Sequence, residues 1–74
     1  PQTEIKMERT GNMVTLTNTG KHPAIGVHVE VPEKMDQLIV SENYIWLNPQ
    51  ESKILKINLE SPVIVKGWNL QSPY

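Results

Sequence analysis

The sequence has 74 residues, of which 7 are Lys or Arg and 8 are Asp or Glu, so its net charge is −1. This length predicts one domain over 1–74, and the absence of any run of like charges argues against a nucleic-acid or membrane-surface partner. Without cysteine the chain has neither a disulfide framework nor a thiolate zinc site, and no apolar stretch approaches the roughly 20 residues of a membrane-spanning helix.

Apolar and polar residues alternate along most of the chain. In the second predicted strand, for example, Val14 and Leu16 alternate with Thr15 and Thr17. This period of two places one row of side chains in the interior and the other in solvent, which is typical of antiparallel sheets. The predicted strands cover 3–9, 13–18, 24–31, 37–40, 43–48, 53–60 and 63–69.

Turn residues separate these segments at short intervals. Gly11 and Gly20 follow the first two predicted strands, Pro32 ends the third, and Pro49 and Pro62 lie between later ones. Glycine tolerates positive φ in tight turns, and proline cannot donate a hydrogen bond to a strand ladder. Seven short strands with regular turns predict an all-β fold, either a two-sheet antiparallel sandwich or a small barrel.

Four residues test this prediction most directly, because alternation places them in the shared interior. They are Val27 and Val29 in the third predicted strand and Leu55 and Ile57 in the sixth. A helical protein, or a sheet with these side chains in solvent, would contradict the prediction.

The sequence contains no arrangement typical of a catalytic site. It has neither a glycine-rich phosphate loop nor a Gly-x-Ser-x-Gly nucleophile motif. His28 and Glu30 share the polar face of the third predicted strand, but two ligands are fewer than zinc requires. Glu33 and Asp36 lie nearby, yet a chain this small would not enclose a sugar between two carboxylates. We expect no catalytic residue, cofactor or metal, and a solvated His28 beside Glu30.

The aromatic residues carry the strongest functional signal. Tyr44 and Trp46 alternate with Ile45 and Leu47, so they point away from the interior and leave a large apolar area in water unless something covers it. Three interpretations are open: packing against another domain, filling of the core through a different register, or a platform for a sugar ring. Trp68, near the end of the last predicted strand, is expected in the core or at the sandwich edge.

Several segments, taken in their order and spacing, resemble one type of domain. The segment 41–52, SENYIWLNPQES, resembles a strand of the type Ser-Asp-Asn-Tyr-Phe that runs into a turn of the type Leu-Pro-Gly-Glu. The stretches 14–20, 23–24 and 27–31 and the closing 63–69 are similar to the same domain. It is the immunoglobulin-like domain C-terminal to the catalytic barrel in glycoside hydrolase family 2, the group of β-mannosidases, exo-β-glucosaminidases and many β-galactosidases.

The resemblance covers roughly 12–70 and departs from the family pattern at two positions. Glu42 stands where Asp is usual, and Gln50 stands where Gly is usual. A Pro-Gly pair can form a type II turn, which needs positive φ at the glycine. The pair Pro49 and Gln50 therefore predicts a type I turn instead.

The resemblance implies an immunoglobulin-like sandwich with a non-catalytic role, because in such enzymes both catalytic glutamates lie on the barrel. It implies the barrel and other domains of the same chain as partners, and a periplasmic or secreted location. Since the chain begins with Pro1, we expect it to be a fragment of a larger glycoside hydrolase. A carbohydrate-binding module and a cell-surface interaction sandwich remain alternatives. The candidate interdomain or sugar contacts are Tyr44, Trp46 and Trp68.

Overall fold

The computed structural model describes residues 1–71 and 74, and these contain strands, turns and loops but no helix. Six strands form two three-stranded sheets, with orders β1-β2-β5 and β4-β3-β6. All strand pairs within the sheets are antiparallel. The fold is therefore the predicted two-sheet antiparallel sandwich and not the small barrel that was its alternative. The strands are β1 (Ile5–Thr10), β2 (Met13–Asn18), β3 (Ala24–Glu30), β4 (Ile45–Leu47), β5 (Ser52–Lys56) and β6 (Ile64–Lys66).

Within the described residues, no helix has the length and apolar character needed to cross a membrane.

The first sheet begins with a tight hairpin. Thr10 at the end of β1 pairs with Met13 at the start of β2, which leaves Gly11 and Asn12 as a two-residue loop. Gly11 has a φ of 58°, whereas Asn12 does not have a positive φ. A glycine with positive φ at the first loop position is the pattern of a type II′ turn, whose twist suits a β-hairpin. β5 then pairs with the other side of β2.

The second sheet has β3 at its centre, with β4 on one side and β6 on the other. The paired residues are Ala24 with Leu47 and Val27 with Ile45, then His28 with Lys66, Val29 with Val65 and Glu30 with Ile64. Directly paired residues of an antiparallel sheet point to the same face. The register therefore puts the valine pair in the interior, and His28 with Lys66 on the outside.

β3 contains a bulge that strict alternation did not predict. Its residues Ala24 and Val27 are three apart but pair with β4 residues that are two apart, so β3 carries one extra residue. Gly26, with a φ of 64°, supplies the backbone conformation that the bulge needs. Ala24 and Val27 are both buried as a result. Ile25, which strict alternation with Val27 would place in the interior, is only partly buried.

The interior is one aliphatic cluster to which both sheets contribute. All four residues expected there from the alternation are buried, which confirms that prediction. Among the described residues this cluster contains no buried aromatic ring, and Trp46 and Trp68 are both exposed, which excludes core filling by either. Its members are Ile5, Val14, Leu16, Ala24, Val27, Val29, Val31, Leu47, Leu55, Ile57, Val63 and Val65.

The prediction of a fourth strand over 37–40 is wrong. Its absence explains why the described residues form six strands where seven were expected. In this segment only Val40 forms a β-bridge, with the residue that follows β5. The side chain of Asn58 takes the place of a ladder partner. Its Oδ1 accepts a hydrogen bond from the N–H of Ile39 at 2.7 Å, and its Nδ2 donates to the carbonyl of Gln37 at 2.8 Å.

The turn between β4 and β5 also differs from its prediction. The N–H of Glu51 donates to the carbonyl of Asn48 at 2.9 Å, which closes a β-turn around Pro49 and Gln50. Gln50 has a φ of 68°, as a type II turn requires, so the type I prediction is wrong. The N–H of Gln50 donates to the carbonyl of Asn18 at 2.7 Å, and this bond holds the residue in its unfavourable conformation.

Asn18 is a fully buried polar residue that joins the two sheets. Its Oδ1 accepts hydrogen bonds from Thr3 Oγ1 at 2.8 Å and from the N–H of Gly20 at 2.9 Å. Its Nδ2 donates to the carbonyl of His22 at 2.8 Å and to that of Leu47 at 2.9 Å. Because Leu47 belongs to the opposite sheet, one amide with both donors and both acceptor positions occupied ties β2 to β4.

Candidate functional site

The three aromatic residues selected from the sequence lie on the outer face of the sheet β4-β3-β6. Leu47 is buried, so its neighbour Trp46 in β4 points out of the sandwich. Tyr44 precedes β4 and Trp68 follows β6, and both contact outward-facing parts of β3. The exposed fractions are 70% for Tyr44, 56% for Trp46 and 87% for Trp68. We call the surface formed by these three residues the aromatic face.

Trp68 lies over the bulge in β3. Its Cδ1 is 3.5 Å from the position that a Cβ at Gly26 would occupy, so the indole lies over Gly26 at about the distance of a van der Waals contact with such a Cβ. The N–H of Trp68 donates to the carbonyl of Ile25 at 2.9 Å, and Oδ1 of Asn69 accepts from the N–H of Ile25 at 3.0 Å. β6 ends at Lys66, so the predicted strand end at 69 is wrong. Of the two positions expected for Trp68, the core is excluded by its exposure, and the residue follows β6, the edge strand of its sheet.

Tyr44 holds a conformation that is rare for a bulky side chain. Its φ is 56°, in the left-handed region where an aromatic residue is an outlier. The ring stacks on the imidazole of His28, with centroids 4.5 Å apart and an interplanar angle of 25°. The preceding residue, Asn43, accepts a hydrogen bond from the N–H of Val29 through its Oδ1 at 2.9 Å. These contacts on both sides maintain a strained backbone beside the aromatic face.

A charged network lies beneath Tyr44. The Nε2 of His28 is 2.9 Å from Oε2 of Glu30, and Nζ of Lys66 is 3.2 Å from Oε1 of the same carboxylate. The hydrogen bond from His28, and after it the one from Lys66, hold the pKa of Glu30 below its ordinary value. The predicted pairing of His28 with Glu30 is confirmed. The ring is only 16% exposed, however, and is not the solvated histidine that the sequence suggested.

The outer face of the other sheet has a different character. The register of β1, β2 and β5 aligns its outward side chains in cross-strand pairs. Ile54 and Met13 are its exposed apolar members, and Thr15 lies opposite Ile54. The remaining outward residues are polar, as in a sheet that faces water on one side: Lys6, Glu8, Thr17 and Ser52. The sandwich therefore has one outer face that is polar apart from Met13 and Ile54, and one aromatic outer face.

This arrangement suits surface contact better than proton transfer. Among residues 1–71 and 74, no three His, Asp or Glu side chains are grouped so as to hold a metal ion. The carboxylate of Glu30 already receives hydrogen bonds from His28 and Lys66. Large exposed rings beside a partly covered ion pair are instead features of interfaces and of sugar-stacking surfaces.

Two features of the aromatic face were missed in the sequence. The bulge at Gly26 had a signal, because glycine inside a strand pattern often marks a bulge or a close backbone approach. The stacking of Tyr44 on His28 had none, because it depends on a left-handed backbone at a tyrosine. Alternation correctly assigned the outward direction of Trp46.

One comparison with known proteins gives a match. The model of the family described as exo-beta-D-glucosaminidase Ig-fold domain matches residues 2–70. The match agrees with the resemblance seen in the sequence and with the two-sheet fold. No curated protein and no solved structure gives a significant match to the chain.

Proposed function

Because this chain belongs to the family of exo-β-D-glucosaminidase Ig-fold domains, we propose that it is a non-catalytic accessory domain of a glycoside hydrolase acting on β-linked sugars. In this proposal the chain is part of a larger enzyme, and its aromatic face packs against the catalytic barrel. The chemistry takes place on the barrel, and the sandwich braces it.

The difference between the two outer faces is the observation that carries this proposal. Trp46 and Trp68 are 56% and 87% exposed, and both lie on one side of the molecule. Large rings concentrated on one face favour an interface, because tryptophan and tyrosine contribute disproportionately to binding energy. Covering one tryptophan side chain is worth on the order of 2 kcal/mol by area. The exposed apolar members of the opposite outer face, Met13 and Ile54, are smaller side chains than tryptophan and offer less apolar area to cover.

Substitutions in the complete gene product test the docking. We expect Trp46→Ser or Trp68→Ser to lower its thermal transition by several degrees, because the apolar contact is lost. In the isolated 74-residue chain Trp68→Ser should alter the free energy of unfolding by less than about 0.5 kcal/mol, because Trp68 is 87% exposed there. Ile54→Ser is the matched control, since Ile54 is 52% exposed on the opposite sheet. An unchanged transition, or an equal fall with the control, would refute docking by the aromatic face.

An activity assay tests the non-catalytic role separately. We expect the isolated chain to show no turnover of an aryl β-D-glucosaminide, because glycoside hydrolysis uses two carboxylates around the sugar and the carboxylate at the aromatic face, Glu30, is paired with His28 and Lys66. Hydrolysis that survives repurification of the chain would contradict this role.

Carbohydrate binding is the second candidate, and exposed rings beside polar groups favour it. Tyr44 and Trp68 have mostly free ring surfaces, and Glu30 and Lys66 lie on the same side of the sheet. Aromatic rings stack on sugar faces while polar groups bond to hydroxyls. Titration with a β-linked glucosamine oligosaccharide should then change the tryptophan fluorescence. No change at millimolar sugar would remove this candidate.

A further inference from the structure

Both ring nitrogens of His28 face hydrogen-bond acceptors. Nδ1 is 3.0 Å from the carbonyl oxygen of Gly26, and Nε2 is 2.9 Å from Oε2 of Glu30. A carbonyl oxygen has no hydrogen to give, and neither has an ionised carboxylate. A neutral imidazole carries a single N–H, whereas the imidazolium carries two. Both contacts are therefore hydrogen bonds only when His28 is protonated on both nitrogens.

We propose that His28 is a proton-dependent lock that fixes the shape of the aromatic face. When protonated, the ring joins the β3 bulge to Glu30. When the proton leaves, one of the two contacts becomes a contact between two acceptors and opens. This lock rests on the proposed function in one respect, namely that the aromatic face is the surface that docks.

Three neighbouring side chains form the surroundings of His28. Glu30 lies two residues further along β3, and Lys66 reaches the other oxygen of that carboxylate from β6 at 3.2 Å. The lowered pKa of Glu30 keeps this carboxylate ionised, which makes it an acceptor. The tyrosine ring of Tyr44, which belongs to the segment before β4, stacks on the imidazole of His28. The face of a single aromatic ring attracts a cation. Among the described residues, the charged and titratable groups around His28 are therefore the Glu30 carboxylate, the Lys66 ammonium group and the Tyr44 phenol ring.

The lock connects to both ends of the aromatic face. Gly26, whose carbonyl accepts one bond, is the residue on which Trp68 rests. Tyr44 is strained, with a φ of 56°, and its ring stacks on the imidazole itself. Opening of the contact with Gly26 frees the bulge under Trp68, and any tilt of the imidazole removes the surface on which Tyr44 lies. A single proton therefore influences two of the three aromatic residues.

A pH profile of the 74-residue chain tests this lock. We expect the near-ultraviolet circular dichroism of its tyrosine and tryptophan rings to change in one transition between pH 5 and pH 8, the range in which histidine changes charge. His28→Gln should abolish the transition. His22→Gln is the matched control and should retain it, since His22 is exposed. Far-ultraviolet circular dichroism shows that each variant is folded.

Nitrogen-15 spectra of the imidazole rings provide a second readout that needs no variant. Below the transition, both nitrogens of His28 should show the signals of N–H groups. A flat dichroism profile in the wild type, or a transition that persists in His28→Gln, would overturn the lock and leave the docking proposal intact. Conversely, loss of the docking effect in the complete gene product would leave the lock intact.

Discussion

Gln50 and Tyr44 share a backbone conformation that is costly for any residue with a side chain. Their φ values are 68° and 56°, and the left-handed region costs roughly 1–2 kcal/mol per residue. Gln50 lies in an exposed turn, where glycine would have the same shape without strain. Tyr44 lies at the aromatic face, and there glycine would remove the ring that stacks on His28. Glycine can therefore relieve the strain at Gln50 without loss of a contact of the aromatic face, whereas at Tyr44 it would remove one of the rings of that face.

Gln50→Gly should stabilise the chain by about 0.5–1 kcal/mol, because relief of strain exceeds the added flexibility of the unfolded chain. Gln37→Gly is the matched control in a turn residue without positive φ, and it should destabilise by a similar amount. Urea unfolding followed by circular dichroism gives both values. Loss of stability in Gln50→Gly would mean that the turn is not type II.

Asn18→Asp should destabilise the chain by at least about 2 kcal/mol. The change replaces a buried N–H₂ group by an oxygen that faces the carbonyls of His22 and Leu47, and buried groups without partners are costly. Asn58→Asp is the control, because Asn58 makes similar hydrogen bonds in an exposed position, and its cost should stay below about 1 kcal/mol. Equal effects in urea unfolding would show that Asn18 does not join the sheets.

Glu30→Gln should reduce stability at neutral pH and have progressively less effect in acid. The pKa of Glu30 is lowered in the folded chain by its hydrogen bonds to His28 and Lys66. Its contribution is therefore fully present above the pKa of an unfolded glutamate, about 4.3, and is lost as the pH falls through the lowered folded value. The difference in unfolding free energy between wild type and variant, measured at pH 7 and pH 3, checks this. A difference that grows in acid would reverse the sign and refute it.

At the scale of the elements, β3 shows which features the alternation of residues predicts and which it does not. The sequence correctly predicts a strand there, because valines recur at every second position from Val27 onward. It does not predict that the pattern slips before Val27, since the bulge depends on pairing with a three-residue β4. The slip puts Ala24 in the core and moves Ile25 out of it.

Alanine substitutions on either side of the bulge test this slip. Val27→Ala should cost about 2 kcal/mol, because it empties space in the core. Ile25→Ala removes more atoms but should cost less, since Ile25 is only partly buried. Urea unfolding gives both values. If Ile25→Ala is the more damaging change, the alternation continues without a bulge.

In the segment over 37–40, the hydrophobic pattern predicts a strand that does not form. Its apolar residues Leu38 and Val40 suggested a strand, and both pack against the core. A side chain elsewhere in the chain, that of Asn58, provides the hydrogen bonds that a neighbouring strand would supply. Hydrophobic pattern alone does not reveal which group takes up the backbone hydrogen bonds of a segment.

For the whole molecule, the three candidate contact residues could be selected from the sequence, but the common surface that they form could not be predicted. Alternation around Trp46 was sufficient to place that ring outside the core. Trp68 was expected in the core or at the edge, and it lies on the same face after β6 ends at Lys66, with its indole over the bulge at Gly26. The aromatic face thus arises from the packing of the complete sandwich.

Hydroxyl-radical footprinting of the complete gene product, compared with the isolated 74-residue chain, tests the docking of this face most directly. Trp46 and Trp68 should be oxidised readily in the isolated chain and be protected several-fold in the complete protein. Met13, which is 42% exposed in the β1-β2-β5 sheet, is the internal control and should react equally in both. Equal oxidation of the two tryptophans in both proteins would contradict the role assigned to the aromatic face.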